Sequence, residues 1–399
     1  MGEYSPTVAS AVTPAVLRRT GRETVGVTKV ELFYDLVYAF AVTQLSHYLV
    51  DHATVEGALQ TALLVAMVWL AWAYTTWVTN WLDPDRFAVR LLLVALALVS
   101  LVMSVGLPNA FESGGLAVGG AYAVMQVGRT IFTVVALRRD PLEKTFQRIL
   151  AWCVVSGSFA IAGGLVQGHA RELLWVLAAG TDILGGAVRF YTPGLGRSET
   201  TEWDLEGSLF AERCQSFLLI ALGESIVVMG ATLSSLPALT PTGAVAMLVA
   251  FIGAVLIWWI YFDRTEDSEA IVARSADPGR IGQIAYHLIH PIMVAGIIAF
   301  AAGQRTVLAH PLDTVAGQSA LMTLGGCAIY LAGHTLFKVQ VFRVWSWQRV
   351  VAAIVLLGAA LVGPQLPALL VSAFAAAVLL GVVVADRVVY RRIGQQAKP

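Results

Sequence analysis

The sequence predicts an all-α, polytopic membrane helix bundle of about twelve spans, arranged as two parallel-repeat halves of six helices. Three observations predict it. Of its 399 residues, 57% are hydrophobic and 13% charged, where a soluble domain carries about 25% charged residues, and the mean hydropathy is +0.73. The apolar residues recur along the whole chain in runs of about 20, the length that crosses a hydrocarbon core. Lysine and arginine are also distributed by side: of the 26, only Arg171 and Arg305 fall in loops opposite to the rest, and Arg129 and Arg213 fall inside spans.

Residues 1–28 are polar and lack the apolar core of a signal peptide, so they read as a tail on the basic side. Spans one and two, 32–50 and 58–79, return the chain to Arg86 and Arg90. Spans three and four, 87–107 and 116–137, lead to Arg138, Arg139, Lys144 and Arg148. Spans five and six, 146–167 and 172–191, lead to Arg189 and Arg197. These six form the first half, 29–195. The linker 196–207 contains the acidic stretch Glu199 to Glu206, read as a solvated loop. The second half, 208–399, holds spans at 208–230, 242–262, 281–303, 315–337, 346–363 and 367–388. Gly363-Pro364-Gln365-Leu366-Pro367 leaves only a tight turn between the last two, which read as full crossings or as a re-entrant hairpin. Basic loops mark the cytoplasmic side, so both termini are expected in the cytoplasm.

An internal echo supports the halves. Gly128-Arg129-Thr130-Ile131-Phe132 in span four matches Gly333-His334-Thr335-Leu336-Phe337 in span ten. Each follows a glycine pair, Gly119-Gly120 or Gly325-Gly326. Glu31 opens span one as Glu212 opens span seven, and Trp77 with Asp83 loosely echoes Trp259 with Asp263. Parallel halves of this kind occur in secondary transporters, with the binding site at their interface.

A zero formal net charge gives no global field for nucleic acid. Cys153, Cys214 and Cys327 read as small buried hydrophobes. No phosphate loop, nucleophile motif or cofactor fingerprint is present, and no metal is assigned. The expected partners are the lipid bilayer and a small solute or ion.

Chemistry concentrates where charges and imidazoles enter apolar stretches. A charge at bilayer depth costs about 2.5–3.5 kcal/mol on insertion scales, so it faces the bundle interior, finds a partner and marks a pathway or site. Glu31 and Asp35 are i,i+4 and share a face of span one. Together they can hold one proton, as a relay requires, or Glu31 can cap the helix N-terminus, where an anion is favoured. Gln44 lies further along the same span. Span seven carries Glu212, Arg213 and the deeper Glu224. Nothing on its own turn neutralises Glu224, and Arg129, in the middle of span four, is its expected partner through a bidentate ion pair. Asp182 sits among Gly180, Gly185 and Gly186, small residues that permit close helix approach. His287 and His290 are i,i+3 on span nine. They can ligate a metal or pass protons, though two histidines alone are a weak zinc signal and a metal site would have to borrow Glu224 and His334. Pro291 should kink this span and free a carbonyl that a polar group must satisfy.

These segments resemble the bacterial low-temperature-requirement A (LtrA) family. Its first hallmark is similar to Glu31-Leu32-Phe33-Tyr34-Asp35-Leu36-Val37-Tyr38 with Thr43-Gln44-Leu45. Its second is similar to Glu212-Arg213 followed by Ile220-Ala221-Leu222-Gly223-Glu224-Ser225-Ile226. The Trp-rich stretch Thr76 to Trp81 and a Tyr286…His290…Gly296 stretch also resemble it, and the likeness runs from about residue 20 to about 390. The resemblance implies a multi-pass protein of the bacterial inner membrane tied to growth in the cold, and implies no particular molecular activity. Three functions fit: a transporter or ion-conducting protein built around Glu31, Asp35, Arg129 and Glu224; a membrane scaffold for cold growth; and a membrane-embedded enzyme acting on a lipid through Glu224, His287 and His290.

Overall fold

The computed structural model describes residues 17–18, 26–198, 207–263, 271, 275 and 277–396. The acidic stretch 199–206 and most of the tail 1–28 lie outside the described residues. Among the described residues the chain forms twelve long helices and no sheet. They are α1 (Lys29–Asp51), α2 (Val55–Trp81), α3 (Phe87–Asn109), α4 (Gly115–Ala136), α5 (Glu143–Leu165), α6 (His169–Ala187), α7 (Gly207–Ser234), α8 (Pro241–Phe262), α9 (Gly279–Ala309), α10 (Gly317–Phe342), α11 (Trp347–Val362) and α12 (Ala368–Gln396). Ten are long and apolar enough to cross a membrane. The other two, α1 and α6, are the helices whose hydropathy is diluted by the polar residues of interest: Asp35, Gln44 and His47 in one, Glu172, Thr181 and Asp182 in the other. A 3-10 turn, Gly363–Gln365, joins α11 to α12, and both are of crossing length.

Helix starts are fixed by local chemistry. Thr28 and Glu31 form a reciprocal capping box on α1. The hydroxyls of Thr54 and Thr240 accept the Gly57 and Gly243 N–H groups at the starts of α2 and α8, each removing one orphan donor of a helix N-terminus. In the first six helices, α1 packs on α2 and α3, α3 on α4, α4 on α5, α5 on α6, and α6 back on α2. In the last six, α7 packs on α8 and α9, α9 on α10, α10 on α11, α11 on α12, and α12 back on α8. Contact between the groups runs from α7 and α9 to α1 and α2.

Helices α9 and α10 meet backbone to backbone. Gly296 and Gly303 on α9 and Gly326 and Gly333 on α10 are each spaced by seven residues, so each pair stays on one face. A Cβ on Gly296 would lie 2.7 Å from the Gly326 carbonyl oxygen, and one on Gly326 would lie 2.7 Å from the Gly296 carbonyl oxygen. The two backbones touch because neither residue has a side chain, the small-residue packing typical of membrane helices.

Pro291 distorts α9 as expected. It has no N–H and its ring crowds the carbonyl four residues back, which belongs to His287. The chain answers with a wide π-helical stretch, Gly282–Ile289. The freed His287 carbonyl accepts the Trp69 indole N–H of α2 at 2.9 Å. Trp69→Phe keeps an aromatic ring, though a smaller one, but orphans this buried carbonyl, and is expected to cost about 1–3 kcal/mol. Thermal or denaturant unfolding in detergent micelles measures it, and an unchanged midpoint would show that the carbonyl finds another donor.

Two arginines assigned to loops by sequence are interior. Arg349 is buried in α11 and pairs with Asp386 of α12 at 2.5 Å. Arg171 is buried at the start of α6. It donates to the carbonyls of Gly163, Val166, Ala110 and Glu112, tying the ends of α5 and α3 together. Neither was distinguishable from a loop cation because both lie within a turn or two of a helix end.

Candidate functional site

The first polar cluster joins the two helices that carry the paired hallmarks. Asp35 on α1 and Arg213 on α7 are both buried and meet through Arg213 Nη2, 2.5 Å from Asp35 Oδ1, and Arg213 Nε, 3.2 Å from Oδ2. The Trp72 indole N–H donates to the same Asp35 oxygen at 2.7 Å. Arg213 also donates to Thr79 Oγ1 at 2.8 Å and approaches Glu31 to 3.5 Å. Glu31 is fully buried, accepts from Arg18 at 2.8 and 2.9 Å, and caps its own helix through Thr28. Glu31 is therefore the helix cap that one reading of the sequence expects, and it is also a member of an ion cluster. The two acids that would repel each other at i,i+4 are instead neutralised by two arginines, one from outside the helices and one from α7. The Arg213 guanidinium lies 5.7 Å from the Trp72 ring and 5.9 Å from the Tyr34 ring, within cation–π range.

The second cluster is in the first six helices. Arg129 on α4 is fully buried. It follows a π-helical turn, Val124–Gly128, an irregularity often found at functional positions. Its guanidinium donates to Gln126 Oε1 at 2.5 Å, Thr75 Oγ1 at 3.2 Å and the Ala71 carbonyl at 3.4 Å, while its Nε has no partner. The Gln126 amide then donates to Asp182 Oδ2 at 2.5 Å, and Ser156 donates to the same oxygen at 2.9 Å. Tyr122 hydroxyl is a third donor to it. Asp182 Oδ1 is buried without a partner. Arg129 and Asp182 are thus linked through a neutral amide rather than in direct contact.

The expected Arg129–Glu224 pair does not form. Glu224 on α7 faces α1, where Thr43 hydroxyl meets its Oε2 and its Oε1 has no partner. Arg129 belongs to α4, which packs on α3, α5 and α2, so the two charges occupy different seams. Glu212 is exposed on α7, while its neighbour Arg213 joins the buried cluster. Gln44 is half-buried.

The histidines line the start of α9 and its neighbours. His290 is fully buried, within 2.9 Å of Tyr261 hydroxyl through Nε2 and stacked on Tyr286. His334 accepts from Arg349 Nε at 3.0 Å. His287 is buried with its Nδ1 unpartnered. None of them joins a group of three converging metal ligands among the described residues. The one such group is Glu56, His169 and Glu172, at the surface ends of α2 and α6, which the sequence did not single out because its members come from two distant segments.

A small, almost wholly apolar cavity of about 50 Å³ lies beside the second cluster. Tyr74, Trp77, Trp81, Phe146 and Phe190 wall it, and Arg129, His287 and Gln283 also line it. Gly186 on α6 makes room for Gln283: a Cβ there would lie 2.6 Å from the amide nitrogen. The cavity lies among helices of the first six and the start of α9, so both halves of the sequence contribute to it.

Residues 26–384 match the family model described as Bacterial low temperature requirement A protein (LtrA). An uncharacterized protein of Rhizobium meliloti (strain 1021) is 36% identical over 371 residues, 92% of this chain and 90% of its own length. No solved structure matches. The chain belongs to the LtrA family and, with its ten apolar helices, is an integral multi-pass membrane protein.

Proposed function

We propose that this LtrA-family chain is a secondary transporter of a small solute, built from two six-helix halves, with both termini on the cytoplasmic face of the bacterial inner membrane. The observation that carries the reading is Arg129, a fully buried cation in the middle of α4 whose acceptors among the described residues, Gln126, Thr75 and the Ala71 carbonyl, are all neutral. A buried charge is costly unless it has a task or a partner.

Three further features support it. The order of helix contacts within the first six recurs within the last six, as a parallel repeat requires. The Glu31–Asp35–Arg213 cluster crosses between the groups at α1 and α7, a place to latch one half on the other. Glu224 suits a proton-coupling role: Thr43 has one hydrogen for two acceptors, the Ala39 carbonyl at 3.1 Å and Glu224 Oε2. Both contacts of the Thr43 hydroxyl are satisfied when the carboxyl itself carries a proton and donates to it. The lipid-enzyme reading lacks such support, because Glu224 and the α9 histidines do not form one converging group among the described residues.

Proteoliposomes loaded with a pH-sensitive dye test the proposal. Solute added outside should change the internal pH with wild-type protein. A folded Glu224→Gln variant should lose at least 90% of that response, an expectation of about tenfold or more for removing the titrating group of a relay. Undiminished flux in the variant would remove Glu224 from coupling, and absence of any solute-dependent flux would favour the scaffold.

A further inference from the structure

We infer that a crevice on the seam between the two groups of six helices seats one acyl chain of a bilayer phospholipid. The inference goes beyond the transport reading and does not depend on it.

The crevice holds about 540 Å³, within the range of small-molecule sites. Helices α2 and α10 form its walls. Both pack on α9, which forms the floor together with Leu49 of α1. The lining runs from Thr54 to Val65 on α2 and from Gln318 to Ile329 on α10. Each stretch rises about 16 Å along its helix. On both helices it begins at the first turn and stops near the middle. That is the depth of one leaflet, half of a hydrocarbon core about 30 Å thick. Just beyond Val65 the Trp69 indole of α2 bonds the His287 carbonyl of α9 at 2.9 Å, which ties these two helices together and ends the crevice.

The walls select the occupant. Ala58, Ala62 and Val65 line one side, and Met322, Gly326 and Ile329 the other. The hydroxyls on α2 are engaged locally: Thr54 accepts the Gly57 N–H at 3.0 Å, and Thr61 donates to the Gly57 carbonyl at 2.7 Å. Water finds few partners on such a surface, and the bilayer core supplies no other water to bond. The crevice is continuous with the surface that meets lipid. Of its lining residues, Val55 is 80%, Leu321 54% and Ile329 41% exposed. The medium outside these side chains is acyl chain, and the same chain fills the space between them. A helix of a second copy would cross both leaflets and need a groove of full height, whereas this one stops halfway. At the mouth, Arg305 is exposed two turns beyond Ile298, on the same face of α9. A cation there suits the phosphate of a lipid whose chain lies in the crevice. Lipid tails are as apolar as the walls, so the chain is held by fit and by its headgroup. Emptying the crevice would strip contacts from every wall atom at once.

The test uses the full chain, delipidated in detergent micelles and given phosphatidylcholine with a diazirine at the end of one chain. Detergent in excess covers the general lipid-facing surface, so label accumulates where phospholipid displaces it. Mass spectrometry after illumination locates the label. Leu98, 63% exposed in the middle of α3, is the reference. Val65, Met322 and Ile329 should be labelled about tenfold or more above Leu98. Ala62→Trp and, separately, Ala299→Phe add bulk to the open space rather than to the packed core. Each should lower crevice labelling about tenfold and leave Leu98 unchanged. Arg305→Gln should lower crevice labelling severalfold. If one filled variant does not fold, the other carries the comparison. The inference is overturned if the crevice is labelled no more than Leu98, or if crevice labelling is unchanged in the folded variants. It is also overturned if the crevice stays unlabelled while Ala62→Trp turns a dimer into a monomer, which would give the site to a second copy.

Discussion

Replacing Arg213 with methionine is expected to destabilise the protein by about 3–5 kcal/mol, the cost of breaking a buried ion pair by removing one partner. Glu31 would keep Arg18 and the Thr28 cap. Asp35 would keep only the Trp72 indole N–H among its present donors. A single neutral donor does not compensate a carboxylate that has no water around it. Arg213→Lys should recover only part of the loss. Lysine restores the charge but not the fork that reaches both Asp35 oxygens and Thr79 together. The decisive comparison is the double variant Arg213→Met with Asp35→Leu. Removing both members of a buried pair is often close to neutral where removing one is not, so the double should be more stable than the single. Thermal unfolding of the three purified variants beside wild type measures this. A single Arg213→Met variant that melts with wild type would show that the cluster contributes nothing to the α1–α7 contact.

The second large effect separates two adjacent glycines. Gly326→Ala should destabilise by about 1–3 kcal/mol, with Gly326→Leu worse, through overpacking at a site that cannot relax. Its Cβ would lie 2.5 Å from the Phe300 nitrogen and 2.7 Å from the Gly296 carbonyl oxygen. Both obstacles are backbone of α9, so the helices must part. Gly325→Ala meets nothing within 4 Å. There the helix gains alanine's propensity at no steric cost, and stability should rise by about 0.5–1 kcal/mol. Unfolding midpoints of the two variants should therefore move in opposite directions. Movement in the same direction would mean that α9 and α10 are not in backbone contact at Gly296 and Gly326.

Much of the fold was legible because its cause is local. An apolar run of span length commits a segment to a helix whatever its neighbours do, since every backbone group must be bonded within the segment in lipid. Thr28, Thr54 and Thr240 set helix starts by bonding groups two or three residues away, and Pro291 could be seen to need an outside donor before Trp69 was known to supply it. The choice of interior polar residues was equally readable: Glu31, Asp35, Arg129, Asp182, Arg213, Glu224 and the three histidines of α9 and α10 are all buried. Gln44, half-buried, and Glu212, exposed, are the exceptions; a residue one position from Arg213 points about 100° away on a helix and meets a different environment.

The pairing of those residues was not legible. Arg129 seemed the natural counterion of Glu224 because both lie deep in their spans. Depth along a helix is a one-dimensional property, however, while a salt bridge needs two particular helix faces to meet. Here α7 turns Arg213 toward Asp35 and Glu224 toward Thr43, and α4 turns Arg129 toward Gln126 and Thr75. Arg349 and Asp386 were missed for the same reason: near a helix end, sequence cannot tell a cation that faces water from one that faces the next helix. The chain by itself determined that charges would be sunk in an apolar bundle and which ones they would be, since hydropathy is summed over neighbours in sequence. Only the tertiary structure decided which charges are quenched by a counter-ion and which rest on neutral partners, since that depends on rotation and contact between helices far apart in the chain.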